Sequence, residues 1–201
     1  MSSTVLYMSM SLDGFVTGPN VRPDNGLGDG GERLHHWILP DGGDDIEGAV
    51  DRLAGANRQI YDEFMSTGAV IAGRGTFEPA GGWGGDHHDG VPIYILSRHP
   101  APDWVSGWPA VHYVDDLEIA VLAAKEAAGD KDVMVHGAST ITQLALAGGL
   151  LDEIEVHLLP LLLGEGRRLF DHLGVTPHEL ERVRVLEGDD GVTHLRFRVR
   201  R

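Results

Sequence analysis

The chain has no cysteine among its 201 residues, and basic side chains are few. The absence of cysteine excludes disulfide bonds, thiol nucleophiles and thiolate zinc sites, including the Cys-containing zinc site of nucleobase deaminases. The 16 Lys and Arg residues are outnumbered by 31 Asp and Glu residues, which gives a formal net charge of −15. Because nucleic-acid binders carry basic surfaces, we expect no nucleic-acid partner.

Long hydrophobic runs are missing as well. The longest strongly apolar stretch, residues 156–163, contains His157 and Pro160 and is far too short to cross a bilayer. The N-terminus lacks the basic start and long apolar stretch of a signal peptide. We therefore expect a cytoplasmic protein without a membrane partner. Hydrophobic residues make up 42% of the chain, which suits a single domain over residues 1–201.

Short apolar runs, by contrast, are frequent and predict strands. They are rich in Val, Ile and Leu and are bounded by Gly, Asp or Pro. Several are apolar at consecutive positions, which is typical of strands covered on both faces. The predicted strands span residues 5–8, 69–72, 92–96, 111–114, 133–136 and 154–161.

Helical patterns lie between these runs. Apolar residues at helical spacing predict a helix over residues 51–65. Residues 115–118 and 140–143 both fit capping boxes, which predict helices over 119–128 and 141–147. The alternation of strands and helices favours an α/β fold with a central, largely parallel sheet.

The C-terminal region departs from this alternation. Residues 180–186 and 192–199 are joined by an Asp/Gly turn, which predicts an antiparallel hairpin and makes the sheet mixed. Two other regions, residues 18–44 and 79–91, are rich in glycine and irregular. Loops of this length in a compact domain tend to be functional or mobile.

One predicted strand ends on the glycine-rich turn Gly73-Arg74-Gly75-Thr76. Glycine lets the backbone approach a phosphate closely, and an arginine can pair with an anion through two contacts. Thr76 is suited either to cap the following helix or to bond a phosphate oxygen. The alternative interpretation is an ordinary strand-to-helix turn with a surface arginine.

A second predicted strand ends on Gly137-Ala138-Ser139-Thr140. A strand that stops on glycine and leads into a helix directs free backbone N–H groups and the positive end of the helix dipole to one spot. The turn lacks the G-x-G-x-x-G spacing of a standard Rossmann site. Two phosphate-sized sites on one small chain favour a dinucleotide ligand.

Further candidates follow other predicted strands. Ser97 and Arg98 are placed to hold the 2′-phosphate of NADP, or else belong to an exposed loop. Asp13, before Gly14, is placed to orient a substrate or relay a proton, whereas Asp-Gly is also ordinary turn chemistry.

Aromatic and histidine side chains occupy the glycine-rich regions. Trp37 and Trp83 are suited to stack on a planar ring or to anchor their loops. The pairs at residues 35–36 and 87–88 are sequence neighbours, whose side chains diverge on helices and strands. Because such pairs chelate poorly, we expect no metal site.

In order, these segments resemble the dihydrofolate reductase-like superfamily, and most closely the reductase domain of riboflavin biosynthesis, the deaminase–reductase C-terminal domain. One departure is His136, which stands where the family commonly has the first of two glycines. The likeness covers nearly the whole chain and rests on MSLDGF at 10–15, GRGTFE at 73–78, ILSR at 95–98, VHGAST at 135–140, GLLDEI at 149–154 and PLLLGEG at 160–166, with Leu169-Phe170.

The resemblance implies a three-layer fold, a central mixed sheet flanked by helices, with NADPH bound across the strand ends. It also implies a homodimer and a small-molecule substrate. The residues implied for the cofactor are Arg74, Thr76, Ser97 and Arg98 on the adenosine side, beside Gly73 and Gly75, and Gly137, Ala138, Ser139 and Thr140 at the pyrophosphate.

The implied activity is an NADPH-dependent oxidoreductase that passes hydride to a C=N or C=O bond of a small heterocycle. It would be similar to 5-amino-6-(5-phosphoribosylamino)uracil reductase or dihydrofolate reductase. Asp13 would be the catalytic residue, with Gly14 beside the substrate and Trp37 and Trp83 as walls of the site. The alternative is a nucleotide- or flavin-binding module of the same fold without turnover.

Overall fold

The computed structural model describes residues 2–40 and 46–200, apart from the side chain of Ser139. The strands are β1 (Thr4–Ser11), β2 (Phe15–Thr17), β3 (Ala69–Gly73), β4 (Ile93–Leu96), β5 (Val111–Val114), β6 (Val133–His136), β7 (Glu153–Leu159), β8 (Arg167–Arg168), β9 (Leu180–Glu187) and β10 (Thr193–Val199). The helices are α1 (Ile46–Arg52), α2 (Gly55–Met65), α3 (Arg74–Phe77), α4 (Leu117–Ala128) and α5 (Ala138–Leu146).

Eight of these strands form one sheet in the order β5-β4-β3-β6-β1-β7-β10-β9. The first six in this order pair in parallel, whereas β10 pairs antiparallel with both β7 and β9. The short strands β2 and β8 pair with each other in a second, antiparallel sheet. The expected α/β fold, with its mostly parallel sheet and C-terminal hairpin, is confirmed.

The apolar runs form strands because their side chains are buried on both faces of the sheet. Ile71 packs in one cluster with α4 and α5, and its neighbour Val70 packs on the opposite face with Phe77. The same alternation in β1 sends Leu6 to the first cluster and Val5 to the second. Two apolar layers therefore hold the sheet and fix where its strands end.

The structure corrects three helix predictions. The helix predicted over residues 51–65 is two helices, because Ala54 is extended and Gly55 has a φ of +53°. At α4 the cap is Asp116 rather than the first residue of the predicted box, since its carboxylate accepts the Ile119 N–H at 3.0 Å. The third correction concerns α5, which begins at Ala138 with no side-chain cap.

The described helices include none that is both long and apolar enough to cross a bilayer. The longest of them, α4, has 12 residues and α2 has 11.

Leu144 on α5 is fully buried, whereas Leu122 on α4 is 68% exposed. We expect Leu144→Ala to lower the free energy of unfolding by about 2–5 kcal/mol, because it leaves a cavity in the core. Leu122→Ala is the matched control and should change it by less than about 0.5 kcal/mol. Urea unfolding measures both, and equal losses would contradict the packing of α5 on the sheet.

Candidate functional site

The two glycine-rich turns lie side by side at the carboxyl ends of two central strands of the sheet. Strands β3 and β6 are parallel neighbours, and Ala72 lies opposite His136 in their register. Gly73, the last residue of β3, and Gly137, directly after β6, therefore lie at the same height. A Cβ atom added to Gly137 would lie 2.6 Å from the Thr76 hydroxyl oxygen, so the two turns are in contact.

The Gly137 turn presents polar groups with weak or no protein partners. Gly137 has a φ of +104°, and its N–H donates to the thioether sulfur of Met8 at 3.4 Å, a weak acceptor. The N–H groups of the first turn precede the helical hydrogen bond from Ile141 N to Gly137 O. The buried hydroxyl of Thr140 has no hydrogen-bond partner among the described residues. This turn is therefore equipped to receive an acceptor such as a phosphate oxygen.

The Gly73 turn differs from the prediction in how its helix is capped. The helix that follows it, α3, has four residues, and its cap is Gly73 without a side-chain hydrogen bond. Thr76 lies inside α3, so its predicted capping role is wrong. A one-turn helix has a small dipole, so side chains such as Arg74 rather than the helix end supply charge here.

A groove of about 470 Å³ runs from this turn toward the end of β4. It brings together most of the residues predicted for the adenosine side of a cofactor, namely Gly73, Arg74, Gly75, Ser97 and Arg98, and also Thr140, which was predicted for the pyrophosphate. Arg98 is exposed and forms no ion pair with the described residues, whereas Arg74 lies 3.8 Å from Glu78. The Ser97 hydroxyl donates to the His99 carbonyl at 2.8 Å, so its proton is already used within the turn.

A larger cleft of about 810 Å³ lies on the other side of the Gly73 turn. Gly75 lines both cavities, and Thr76, Gly137 and Ala138 line the cleft. Arg167, which the sequence analysis missed, also lines it and donates to the Gly75 carbonyl at 3.2 Å. A signal for this arginine was present, because it directly follows the PLLLGEG motif.

Both predicted tryptophans line this cleft. Trp37 is 2% exposed, and its indole N–H donates to the Ser9 hydroxyl at 2.9 Å, so it also anchors its loop. Trp83 is half-buried and packs edge-on against Phe77 and His87. Both tryptophans therefore line the cleft and pack within the protein, whereas their stacking on a planar ligand ring stays a prediction.

Asp13 is placed differently. In the described part of the chain, neither Asp13 nor Gly14 is among the residues that line the two cavities. The Asp13 carboxylate accepts hydrogen bonds from the Ser11 hydroxyl at 2.6 Å and from the N–H groups of Leu163 and Gly164. The Ser11 bond, followed by the backbone bonds, lowers the pKa of Asp13 to about 2. This geometry favours a positioning role for Asp13 over the catalytic role that we expected.

Histidines that the sequence analysis set aside line the cleft instead: His35, His87, His136 and His157. The prediction that neighbouring histidines diverge is wrong for His87 and His88. Their Nδ1 atoms lie 2.8 Å apart, because the loop that carries them is neither helix nor strand. The described residues contain no group of three or more His, Asp or Glu that could hold a metal ion.

Gly137→Ala tests the contact between the two turns. We expect it to destabilise the protein more than Gly148→Ala, a control with a positive φ but nothing within 4 Å of the added Cβ. The control should cost about 1–2 kcal/mol, and overpacking against Thr76 should add roughly 1–3 kcal/mol. Thr76→Ala in the Gly137→Ala background should recover part of the loss. Equal losses for the two single variants in urea unfolding would argue against the contact.

The lowered pKa of Asp13 predicts a pH dependence of stability. Its stabilising contribution is complete above a pH of about 4 and is lost as the pH falls through about 2. Asp13→Asn should remove this part of the acid-induced loss, as measured by unfolding at a series of pH values. The exposed Asp103→Asn is the control and should leave the acid limb unchanged. An identical acid limb in Asp13→Asn and wild type would refute the assignment.

Solved structures similar to this chain share its fold. A structure described as a riboflavin biosynthesis protein from Shewanella sp. PV-4 is 19% identical, with a TM-score of 0.68 and 99% of each chain covered. RibD from Acinetobacter baumannii is 16% identical with a TM-score of 0.60, and the whole of this chain covers 59% of it. A pyrimidine reductase-like protein from Corynebacterium diphtheriae is 12% identical, with a TM-score of 0.61 and coverage of 100% of this chain and 92% of the other.

No curated protein matches the chain. The RibD C-terminal domain family, however, matches residues 3–194, which is nearly the whole sequence. The resemblance drawn from the motifs is thereby confirmed. The chain belongs to the RibD C-terminal domain family, which supports an oxidoreductase function related to riboflavin biosynthesis.

Proposed function

We propose that this protein is an NADPH-dependent reductase. It would transfer hydride to a C=N or C=O bond of a small heterocyclic molecule, such as a pyrimidine or a pterin. The observation that carries the proposal is the contact between the Gly73 and Gly137 turns at the carboxyl ends of β3 and β6. Two phosphate-binding turns in contact suit one dinucleotide better than two separate anions.

The residues of the Gly137 turn fit a pyrophosphate. The unpartnered hydroxyl of Thr140 and the weakly bonded N–H of Gly137 are donors that a phosphate oxygen would satisfy. The backbone of Ala138 and Ser139 contributes the remaining first-turn N–H groups. Arg167, at the junction of the two cavities, adds a positive charge nearby.

The groove beyond Gly75 fits the adenosine side. Arg74 and Arg98 line it together with Asp115, so it holds an excess of positive charge on a chain whose net charge is −15. Arg98 has no carboxylate partner among the described residues and is free to pair with a 2′-phosphate. The groove is therefore suited to NADPH rather than NADH.

The larger cleft is suited to the nicotinamide and the substrate. Its volume of about 810 Å³ and its aromatic walls, Trp37 and Trp83, match a site for planar rings. The bound cofactor supplies the hydride, and the protein binds, orients and excludes water. The predicted contact of Gly14 with substrate, like the catalytic role of Asp13, stays a prediction.

Binding of NADPH and of NADH, followed by fluorescence, tests the cofactor assignment. Arg98→Ala should weaken NADPH binding by about 10- to 100-fold, because a charge-assisted contact contributes about 1.5–3 kcal/mol. NADH binding should change little. Arg182→Ala, which removes an exposed arginine on the edge strand β9, six places from β4 in the order of the sheet, is the control. Equal weakening of both cofactors by Arg98→Ala would overturn recognition of the 2′-phosphate.

The substrate class is tested by NADPH oxidation over a panel of pterins, pyrimidines and small carbonyl compounds. Tight NADPH binding with no turnover on any of them would favour the alternative, a nucleotide-binding module. A yellow purified protein would favour a flavin in the same cleft. The homodimer implied by the resemblance stays a prediction.

A further inference from the structure

Three histidines form a chain of ring contacts along the wall of the larger cleft. The histidine chain consists of His88, His87 and His136. The His88 and His87 Nδ1 atoms lie 2.8 Å apart, and the His87 and His136 Nε2 atoms lie 3.1 Å apart. His88 is 5% exposed, whereas His87 and His136 both line the cleft.

Both ends of the histidine chain meet backbone carbonyls. His136 Nδ1 lies 3.1 Å from the Tyr7 carbonyl oxygen, and His88 Nε2 lies 3.1 Å from the Thr67 carbonyl oxygen. The Thr67 hydroxyl donates to the Phe64 carbonyl at 2.7 Å, so its proton is not available to His88. A carbonyl oxygen can only accept, so each terminal nitrogen must carry a hydrogen.

The number of hydrogens that the chain needs exceeds the number that neutral rings supply. Each of the two ends requires one hydrogen, and each of the two contacts between rings requires one more. Three neutral imidazoles carry three hydrogens, so one of the four contacts lacks its hydrogen. Uptake of a single proton completes all four contacts and gives the chain one positive charge.

A second histidine pair in the same protein has as many ring hydrogens as its contacts require. His194 Nε2 lies 3.0 Å from the Asn57 side-chain oxygen, which is identified as an acceptor because the Asn57 amide nitrogen donates to the Trp37 carbonyl. His157 and His194 meet through their Nδ1 atoms at 3.0 Å. Two contacts need two hydrogens, and two neutral rings supply them. This pair is complete when neutral.

We propose that the histidine chain takes up one proton from solvent and delivers it to the substrate at the cleft wall. This inference rests on the proposed reductase function. With a dihydronicotinamide bound, hydride transfer to the carbon of a C=O or C=N bond would move the π electron pair to oxygen or nitrogen. That atom would take the hydrogen shared by His87 Nε2 and His136 Nε2, which breaks the contact between these two rings. The products would be the alcohol or amine, the oxidised nicotinamide and a neutral histidine chain, which solvent would protonate again.

The surroundings of the histidine chain lower its affinity for the extra proton. Burial lowers the pKa of His87 to about 2 and that of His136 to about 4, and the neighbouring histidines act in the same direction. The ionisable groups that face the cleft from the packed elements are His35, His157, Tyr7, Glu32, Asp24 and Arg167. Burial raises the pKa of Tyr7 to about 12, so this phenol stays neutral. A bound polyanionic cofactor would favour the protonated chain.

The charge of the histidine chain can be measured without a cofactor. Long-range 1H–15N NMR spectra of the full chain, recorded between pH 4 and 9, report the protonation of each ring. We expect one step shared by His87 and His136 at the acid end of this range, because burial lowers the pKa of both rings, whereas His157 stays neutral throughout. His136→Gln should abolish the step, and the exposed His112→Gln should leave it intact. Three neutral rings over the whole pH range in the wild type would overturn the proposal, whether or not His136→Gln folds.

Single-turnover oxidation of bound NADPH by a substrate tests the delivery. In the wild type the rate should fall as the pH rises above the shared step, and His136→Gln should lower it by about 100-fold or more while NADPH still binds. His112→Gln should leave the rate unchanged. A rate of His136→Gln within about threefold of the wild type would overturn the role in delivery. Failure of NADPH to bind the wild type would instead overturn the proposed function, and the NMR titration would remain interpretable.

Discussion

The parallel pairing of β3 with β6 is the constraint on which the site depends. Their register sets Ala69 opposite Val133 and Ala72 opposite His136, so the two strands end at the same height. The turns that follow must then share one small volume, which leaves no room for a side chain at Gly137 beside Thr76. Burial of the strands on both faces secures this register, because a shift by one residue would turn apolar side chains to the wrong layer.

The point where β6 separates from β1 also determines which side chain faces the cleft. Strand β6 pairs with β1 from Thr4 to Leu6, and beyond this point the His136 ring bonds the Tyr7 carbonyl in place of the backbone. The imidazole therefore satisfies a buried acceptor where β6 turns away at Gly137. A glycine at position 136 has no side chain and could not make this contact.

The sequence predicted the features that depend on local pattern and left out those that depend on distant pairing. Apolar runs located the strands, and glycine after a strand located both turns. The histidine chain escaped prediction because His87 and His136 are 49 residues apart and lie in different kinds of segment. The start of α5 at Ala138 was missed because a Gly137 φ of +104° positions the helix without a side-chain cap.

Asp13 connects these observations, because its effect on the site passes through the backbone. Its carboxylate holds the N–H groups of Leu163 and Gly164, just before β8. Gly166 then packs so closely on the Thr17 carbonyl that a side chain would not fit. From this fixed position Arg167 reaches the Gly75 carbonyl, where the two cavities meet. A carboxylate outside both cavities thus holds in place the segment that brings a cation to their junction, so the Asp-Gly turn acts on the site through the backbone.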